Sequence, residues 1–390
     1  MSIRLMVVAD DYGMNSRRTD AILAASAAGS ISRTSFLVNG EDAARAGVLG
    51  RAAHLPVGLH FNITEGYPVS APPIPNDQRA CPMLTWPNEH SHAGRFLGKR
   101  DLFLTLEKCN DRSNPLLRQA AVDTVARELR SQLDLFVNLT GVTDVWVDGH
   151  HHVHVLSIVW DAIEMVAGWK TTATSSQLSA PWRIIGIRVP HDPSLMIPLH
   201  QNESGVCDDD PEELRFRSEE DIFGFPFWKR VSHLSSLRRS RVPPHICCAD
   251  LFIGFDIGGS DASAAAVVWK VQESMRCASL ANETREFTPP KWRPQRLLDI
   301  LRARRCYDND AVIEEAGRTA TSLSEVVVEL MTHLGYPDDY FSDSTTAVAD
   351  ADYIPLFLDD ARPLRMLEWR LYTSPEFTGT MREYLHAQIV

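Results

Sequence analysis

Two hydrophobic patterns alternate through the first half of the chain. IRLMVVAD (3–10) is an apolar run of strand length. MNSRRTDAILAASAAG (14–29) then repeats apolar positions at helical spacing, with Asn15 or Ser16 to cap it and Gly29 to stop it. SISRTSFLVNG predicts a second strand, a short Ala-rich helix follows, and LPVGLHFNIT predicts a third strand. A loop-rich stretch with several prolines runs over about 66–114 and includes FLGKRDLF. Residues 116–137 carry apolar positions at helical spacing among good helix formers. The strand DVWVDGHHHVH, a helix through LSIVWDAIEMVAG and the strand IIGIRVP come next. ICCADLFIGF (246–255) and SEVVVELMTHLGY (324–336) read as two further strands of the same sheet. Apolar strands separated by helices at this rhythm imply parallel pairing, in an α/β barrel or a doubly wound sheet.

The rhythm degrades beyond Pro190. Residues 195–220 are acidic and polar, and 280–318 mix Pro, Arg and Asp without periodicity. These read as insertions, at about 195–240 and 256–318, within a single domain over 1–390. Composition changes this picture little: 44% of the residues are hydrophobic and 23% charged, as in ordinary globular proteins. The net charge of −12 disfavours nucleic acid or an anionic membrane as partner. The opening MSIRLMVVADDYG reaches two aspartates too soon for a secretory segment and reads as a strand, and no apolar run approaches a membrane span. The 7 cysteines include no C-x-x-C pair. An odd count without a leader predicts reduced thiols and a cytoplasmic protein. The matches to the glycosylation pattern at Asn62 and Asn138 then carry no weight.

Position is what makes the polar residues informative. Asp10 and Asp11 end the first strand and His60 ends its apolar run; Asp148 and His150, Arg188 and His333 end three more. In a parallel α/β sheet the carboxyl ends of the strands share one edge, where ligands bind. A single histidine after a strand is more often a hydrogen-bonded structural residue than a ligand, and paired aspartates often cap the next helix. Carboxylates and histidines from five strands meeting at one rim instead form an inventory for a divalent cation with an acid and a base. Imidazole and carboxylate together suit zinc and other first-row metals. Strand alternation through 148–154 would put Asp148, His150, His152 and His154 on one face and His151 on the other, and spacing does not choose among them.

VVADDYGMN, SRTSFLVNG, VGLHFNITEGYP, FLGKRDLF, DVWVDGHHHVHVL, DLFIGF, VELMTHLGY and LEWRLYTSPEF occur in an order that resembles the YdjC-like carbohydrate deacetylases, also called chitooligosaccharide deacetylases. The resemblance reaches from residue 7 to 377. It implies a distorted TIM-like (β/α) barrel, similar to the polysaccharide deacetylases, with one divalent ion, Mg2+ or Zn2+. The ligands it implies are Asp11, His60 and His150. Asp10 would be the general base and His333 the acid that protonates the leaving amine, while Arg188 would pair with Asp10 and hold it ionised. Asp148 and the later histidines would orient ligands or line the substrate groove, with His152 or His154 alternatively plain structural hydrogen-bonders rather than catalytic. The chain departs from the family at Leu334, where HPGY is usual, which frees the backbone next to His333.

The expected function is metal-dependent removal of acetyl groups from N-acetylated amino sugars or short chitin-like oligosaccharides. Tyr12, Phe61, Tyr67 and Trp86 are candidates to stack on sugar faces. Another metal-assisted hydrolysis, such as phosphoester cleavage, has only Lys99 and Arg100 in its favour. An inactive carbohydrate-binding barrel is opposed by the intact Asp10, Asp11, His60 and His150. The partner is a small molecule or oligosaccharide, not nucleic acid or membrane; a homo-oligomer is compatible with all of this.

Overall fold

Odd and even positions of the first strand have different destinies, and the architecture follows from that. In β1 (Ser2–Tyr12), Ile3, Leu5, Val7 and Ala9 are buried in the main core beneath the helices. Met6 and Val8 belong instead to a separate small cluster with Ala249, against which Trp146 and Val327 pack. A parallel strand covered on both faces must be apolar on both, so the sequence reads as an unbroken apolar run. The computed structural model describes residues 2–70, 83–87, 90–111, 113–169, 180–195, 216, 218–222, 224–255, 263–280, 325–334, 368–385 and 387–389.

β1 is joined by β2 (Arg33–Phe36), β3 (Val57–Phe61), β4 (Asp144–Gly149), β5 (Arg183–Ile187), β6 (Leu251–Ile253), β7 (Glu325–Thr332) and β8 (Ala387–Ile389). The sheet runs in the order β5-β4-β3-β2-β1-β7-β6, and every pairing within it is parallel. β8 pairs with the start of β1, from Ile3 to Leu5, on the edge whose later half is taken by β2. The sheet curls until its ends meet: the Cys247 N–H donates to the Ile185 carbonyl and the Ile187 N–H to the Cys247 carbonyl, both at 2.9 Å. The result is the expected TIM-like α/β barrel, distorted and mostly open to helices on its outer face.

Those helices are α1 (Ser16–Ala27), α2 (Ala43–Ala52), α3 (Gly98–Cys109), α4 (Pro115–Thr140), α5 (Ser157–Ala167), α6 (Gly224–Arg239), α7 (Ala264–Leu280) and α8 (Pro375–Leu385). Asn15, not Ser16, caps α1, its side chain accepting from the Arg18 N–H at 3.0 Å. Asn114 caps α4 in the same way and Gly141, at φ 75°, ends it. The loop-rich reading of 66–114 is corrected by α3, which FLGKRDLF opens. Leu102, Phe103, Leu106 and Cys109 form its buried face, but no side chain caps its start, so the usual start signal is missing. Most of 195–220, all of 280–318 except its first residue, and Gly335 and Tyr336 lie outside the described residues. Within the two segments read as insertions, α6 and the helical stretch α7 are described.

The barrel interior grades from apolar to charged. Trp146 fills its lower part, with the Arg33 guanidinium 3.8 Å from its ring centre. Gly186 is required there, because a Cβ would lie 2.3 Å from the indole. Above this plug, Ser35, His60, Asp148, Asp10, Arg188 and Glu329 are all buried. The strands thus deliver apolar side chains to the floor and charges to the carboxyl-end rim.

Candidate metal centre

Adjacent residues of a regular strand point to opposite faces, so Asp10 and Asp11 should not serve one site. A bulge resolves this. Ala9 pairs with Thr34 and Tyr12 with Phe36, so three steps along β1 match two along β2. Asp11 adopts φ 67°, an uncommon left-handed conformation for a residue with a side chain. The extra residue turns both carboxylates to the rim.

Three donor atoms then converge. Asp11 Oδ1 lies 3.4 Å from His60 Nε2 and 3.0 Å from His150 Nδ1, and the two imidazole nitrogens are 3.3 Å apart. The far side of each ring faces a carboxylate, His60 Nδ1 meeting Asp148 Oδ1 at 2.5 Å and His150 Nε2 meeting Glu65 Oε2 at 3.0 Å. A carboxylate accepts, so those ring nitrogens carry hydrogen in the neutral rings, and the lone pairs are left facing inward. Asp11 Oδ1 is buried and accepts no aligned hydrogen bond. In the neutral rings two lone pairs and an anionic oxygen are aimed at one point, an arrangement that protons on the rings or a bound cation relieves. Donors about 2.1 Å from an ion are separated by about 3.0 Å in an octahedron and about 3.4 Å in a tetrahedron. The three observed separations fit a divalent ion, and the donor types suit a first-row metal. Arg18 holds the other Asp11 oxygen at 3.0 Å.

Beside this triangle stands a charge clamp. Arg188, the first residue beyond β5, is 1% exposed and grips Asp10 with two hydrogen bonds, Nη1 to Oδ2 at 2.7 Å and Nη2 to Oδ1 at 2.8 Å. It also reaches Asp148 Oδ2 at 3.1 Å and donates from Nε to Glu329 Oε1 at 2.5 Å. Ser35 Oγ donates to Asp148 Oδ2. Burial raises the Asp10 carboxyl above its ordinary range, opposed by Arg188. Against the same push, Arg188 and His60 hold Asp148 below that range. Burial alone would lower the His60 pKa, yet Asp148 and Asp10 outweigh it and raise it to about 10.

Alternation does not continue through the histidines. β4 stops at Gly149, and residues 150–155 form a 3-10 turn in which His151 and His152 take φ 52° and 57°. The four imidazoles are therefore dealt to four surroundings rather than two faces. His150 enters the triangle. His151 lies 4.0 Å from it, ring centre to ring centre, with Nδ1 3.0 Å from Thr64 Oγ1. His152 sits edge-on to Trp228, Phe252 and Phe255, and His154 is fully buried.

His333 follows β7 immediately and is half-buried; its N–H donates to Glu368 Oε2 at 2.7 Å, as does Thr332 Oγ1. Those two bonds, together with the fully buried Leu334, tether the strand end at His333. Tyr12 and Phe61 are fully buried, which removes them from any sugar-facing surface; Tyr67, 49% exposed, and the half-buried Trp86 keep that option. Lys99 places its ammonium 3.6 Å from the Phe227 ring centre, and Arg100 pairs with Asp101 at 3.2 Å, so GKR makes no phosphate cradle between them. Sequence reasoning passed over Glu65, Ser35 and Glu329. Each lies inside a stretch already singled out, but only pairing with a distant strand reveals what it touches.

A family model described as YdjC-like protein matches residues 4–383. A carbohydrate deacetylase of Mus musculus is 38% identical over 154 residues, 40% of this chain and 44% of that protein. One of Danio rerio is 32% identical over 205 residues, covering 52% and 55%. A chitooligosaccharide deacetylase of Serratia marcescens is 31% identical over 164 residues, covering 42% and 55%. The matched part thus spans about half the length of these curated relatives. A crystal structure from Enterococcus faecalis V583, titled for a provisional role in cellobiose-phosphate cleavage, superposes with TM-score 0.50 at 13% identity, covering 100% of this chain and 97% of that one. That likeness concerns the fold alone.

Proposed function

This chain belongs to the YdjC-like family, and on that premise we propose that it hydrolyses the N-acetyl group of amino sugars or short chitin-like oligosaccharides, using one divalent cation held by Asp11, His60 and His150. The observation that carries the reading is the triangle of donor atoms, with edges of 3.0, 3.3 and 3.4 Å, set beside a carboxylate that is not part of it. When bound, the cation supplies Lewis-acid polarisation of the acetyl carbonyl and makes water more acidic.

The residues of the chain supply the rest. Asp10 accepts a proton from the attacking water, whose oxygen bonds to the acetyl carbon. Arg188 engages one lone pair on each Asp10 oxygen, leaving a second on each to accept that proton. Burial, which raises Asp10, makes it a better base than an exposed aspartate. The C–N bond then breaks, and His333 gives a proton to the departing amine, releasing acetate and the free amino sugar. The tether of its backbone to Glu368 serves to aim it. Tyr67 and Trp86, which are not fully buried, are the candidates to contact the sugar.

Acetate release from N-acetylated chitooligosaccharides, followed with and without a chelator, tests the reading. Turnover that stops with chelator and returns with added divalent ion is expected. Turnover indifferent to thorough chelation would overturn the cation's role. Binding of these sugars without any acetate release would favour a carbohydrate-binding barrel instead.

A further inference from the structure

Each of the two histidines in the triangle has a carboxylate behind it, and the two carboxylates are not equivalent. Asp148 is shared. Its Oδ1 serves His60, while its Oδ2 takes Ser35 and the Arg188 guanidinium at 3.1 Å. That guanidinium is itself divided between Asp10 and Glu329, so the charge of Asp148 is largely spent inside the clamp. Glu65 stands apart. Oε2 meets His150 Nε2 at 3.0 Å, and no arginine among the described residues pairs with it. Lys99 and Glu65 attract each other electrostatically.

The backbone under Glu65 is fixed with care. Asn62 Oδ1 accepts from the N–H groups of Thr64 at 2.9 Å and Glu65 at 3.1 Å, and Asn62 Nδ2 donates to the Glu65 carbonyl at 2.9 Å. Gln132 in turn holds Asn62 by its N–H at 3.1 Å and its carbonyl at 2.6 Å. A carboxylate so placed, 9% exposed and bonded to the distal nitrogen of an imidazole, fixes that ring's rotation and tautomer. It also makes the proximal nitrogen a stronger donor, because its negative charge is transmitted through the ring.

We infer that Glu65 is the positioning residue that sets how tightly this site holds its cation, acting through His150, and that Asp148 contributes less because its charge is committed to Arg188. This rests on the ligand set proposed above.

The test is calorimetric titration of the cation-free full chain with Zn2+ at constant pH, for wild type, Glu65→Gln, Glu65→Leu and Ser35→Ala. Glu65→Gln keeps an acceptor for His150 Nε2 and removes the charge; a loss of about tenfold in affinity is expected. Glu65→Leu removes both, and about a hundredfold is expected. Ser35→Ala, which takes one hydrogen bond from Asp148, should lose less than Glu65→Gln. Thermal unfolding of the cation-free forms should coincide, and the Co2+ absorption spectra should keep one coordination number throughout. Unchanged affinity in both Glu65 variants would overturn the inference. So would a Co2+ spectrum that loses a ligand in Glu65→Leu, since Glu65 would then bind the ion itself. Wild-type protein that binds no cation would overturn the reading of the site, and this inference with it, whereas a wild type that binds while the variants match it sinks the inference alone.

Discussion

Cation binding at this site should be strongly proton-coupled. Without an ion, Asp148 and Asp10 hold the His60 pKa at about 10, against the effect of burial. Burial likewise acts downward on His150, and Asp11 and Glu65 raise it nonetheless. At neutral pH the cation-free triangle therefore carries a proton on His60 and a raised tendency to hold a second on His150, and a divalent ion must displace what is bound before it can use the lone pairs. Each displaced proton makes the apparent affinity fall about tenfold per pH unit below the relevant pKa. One proton gives about a hundredfold weakening between pH 8 and pH 6, or about 2.7 kcal/mol; two displaced throughout would square that factor. The linkage to stability has a definite sign. A raised histidine pKa stabilises the cation-free fold fully below about 6.5, and that contribution is lost as pH rises through about 10. The stabilisation given by the ion grows over the same interval. The gap in unfolding temperature between loaded and cation-free protein should thus widen from pH 6 to pH 8. Titration calorimetry in two buffers of different ionisation enthalpy counts the protons directly, and between one and two should appear at pH 7. Affinity flat across this range, with no proton released, would show that both imidazoles are neutral before the ion arrives and would refute the electrostatic account.

Asp10→Asn should keep cation affinity within a small factor, because Asp10 is not in the triangle, while turnover falls about 10²- to 10⁴-fold; loss of the ion in calorimetry would show that base and ligand had been exchanged. Arg188→Met leaves Asp10, Asp148 and Glu329 buried without their shared guanidinium. At least about 3–5 kcal/mol of stability should disappear, measured by urea unfolding, and Arg188→Lys should not restore it because one ammonium cannot span three carboxylates. Gly186→Ala drives a methyl into the Trp146 ring, 2.3 Å away, and should cost about 1–3 kcal/mol in the same assay.

Most of the barrel was readable because its strands must be apolar on both faces. IRLMVVAD and VVVEL could be buried strands on composition and length alone, and IIGIR needed only its glycine explained. The helices were legible where capping and spacing agree, as at Asn15 and Asn114. α3 escaped because Leu97 offers no cap. The closing contact between Cys247 and β5 could not be foreseen either, since it joins Gly186 and Cys247, far apart in the chain, through backbone groups.

The site was legible as a list of residues and illegible as an arrangement, for one physical reason. Period-two alternation predicts where a side chain points only while the strand stays regular, and at this rim it does not. Asp11, His151 and His152 all adopt left-handed backbone conformations, each costing on the order of 1–3 kcal/mol for a residue with a side chain. The first brings Asp11 to the same rim as Asp10; the other two turn the chain at once after His150, so that one imidazole faces the triangle and its neighbours do not. Alternation, applied to His150, His152 and His154 together, put three rings where the protein puts one. Three of the four left-handed side-chain-bearing residues among those described cluster within or next to this triangle. Strain so placed must be offset by the surrounding structure, here by Arg18 on Asp11 and Thr64 on His151. Thr64 lies far along the chain from the histidine it steadies, and Arg18, although close to Asp11 in sequence, meets it only because the strand bulges before the helix begins.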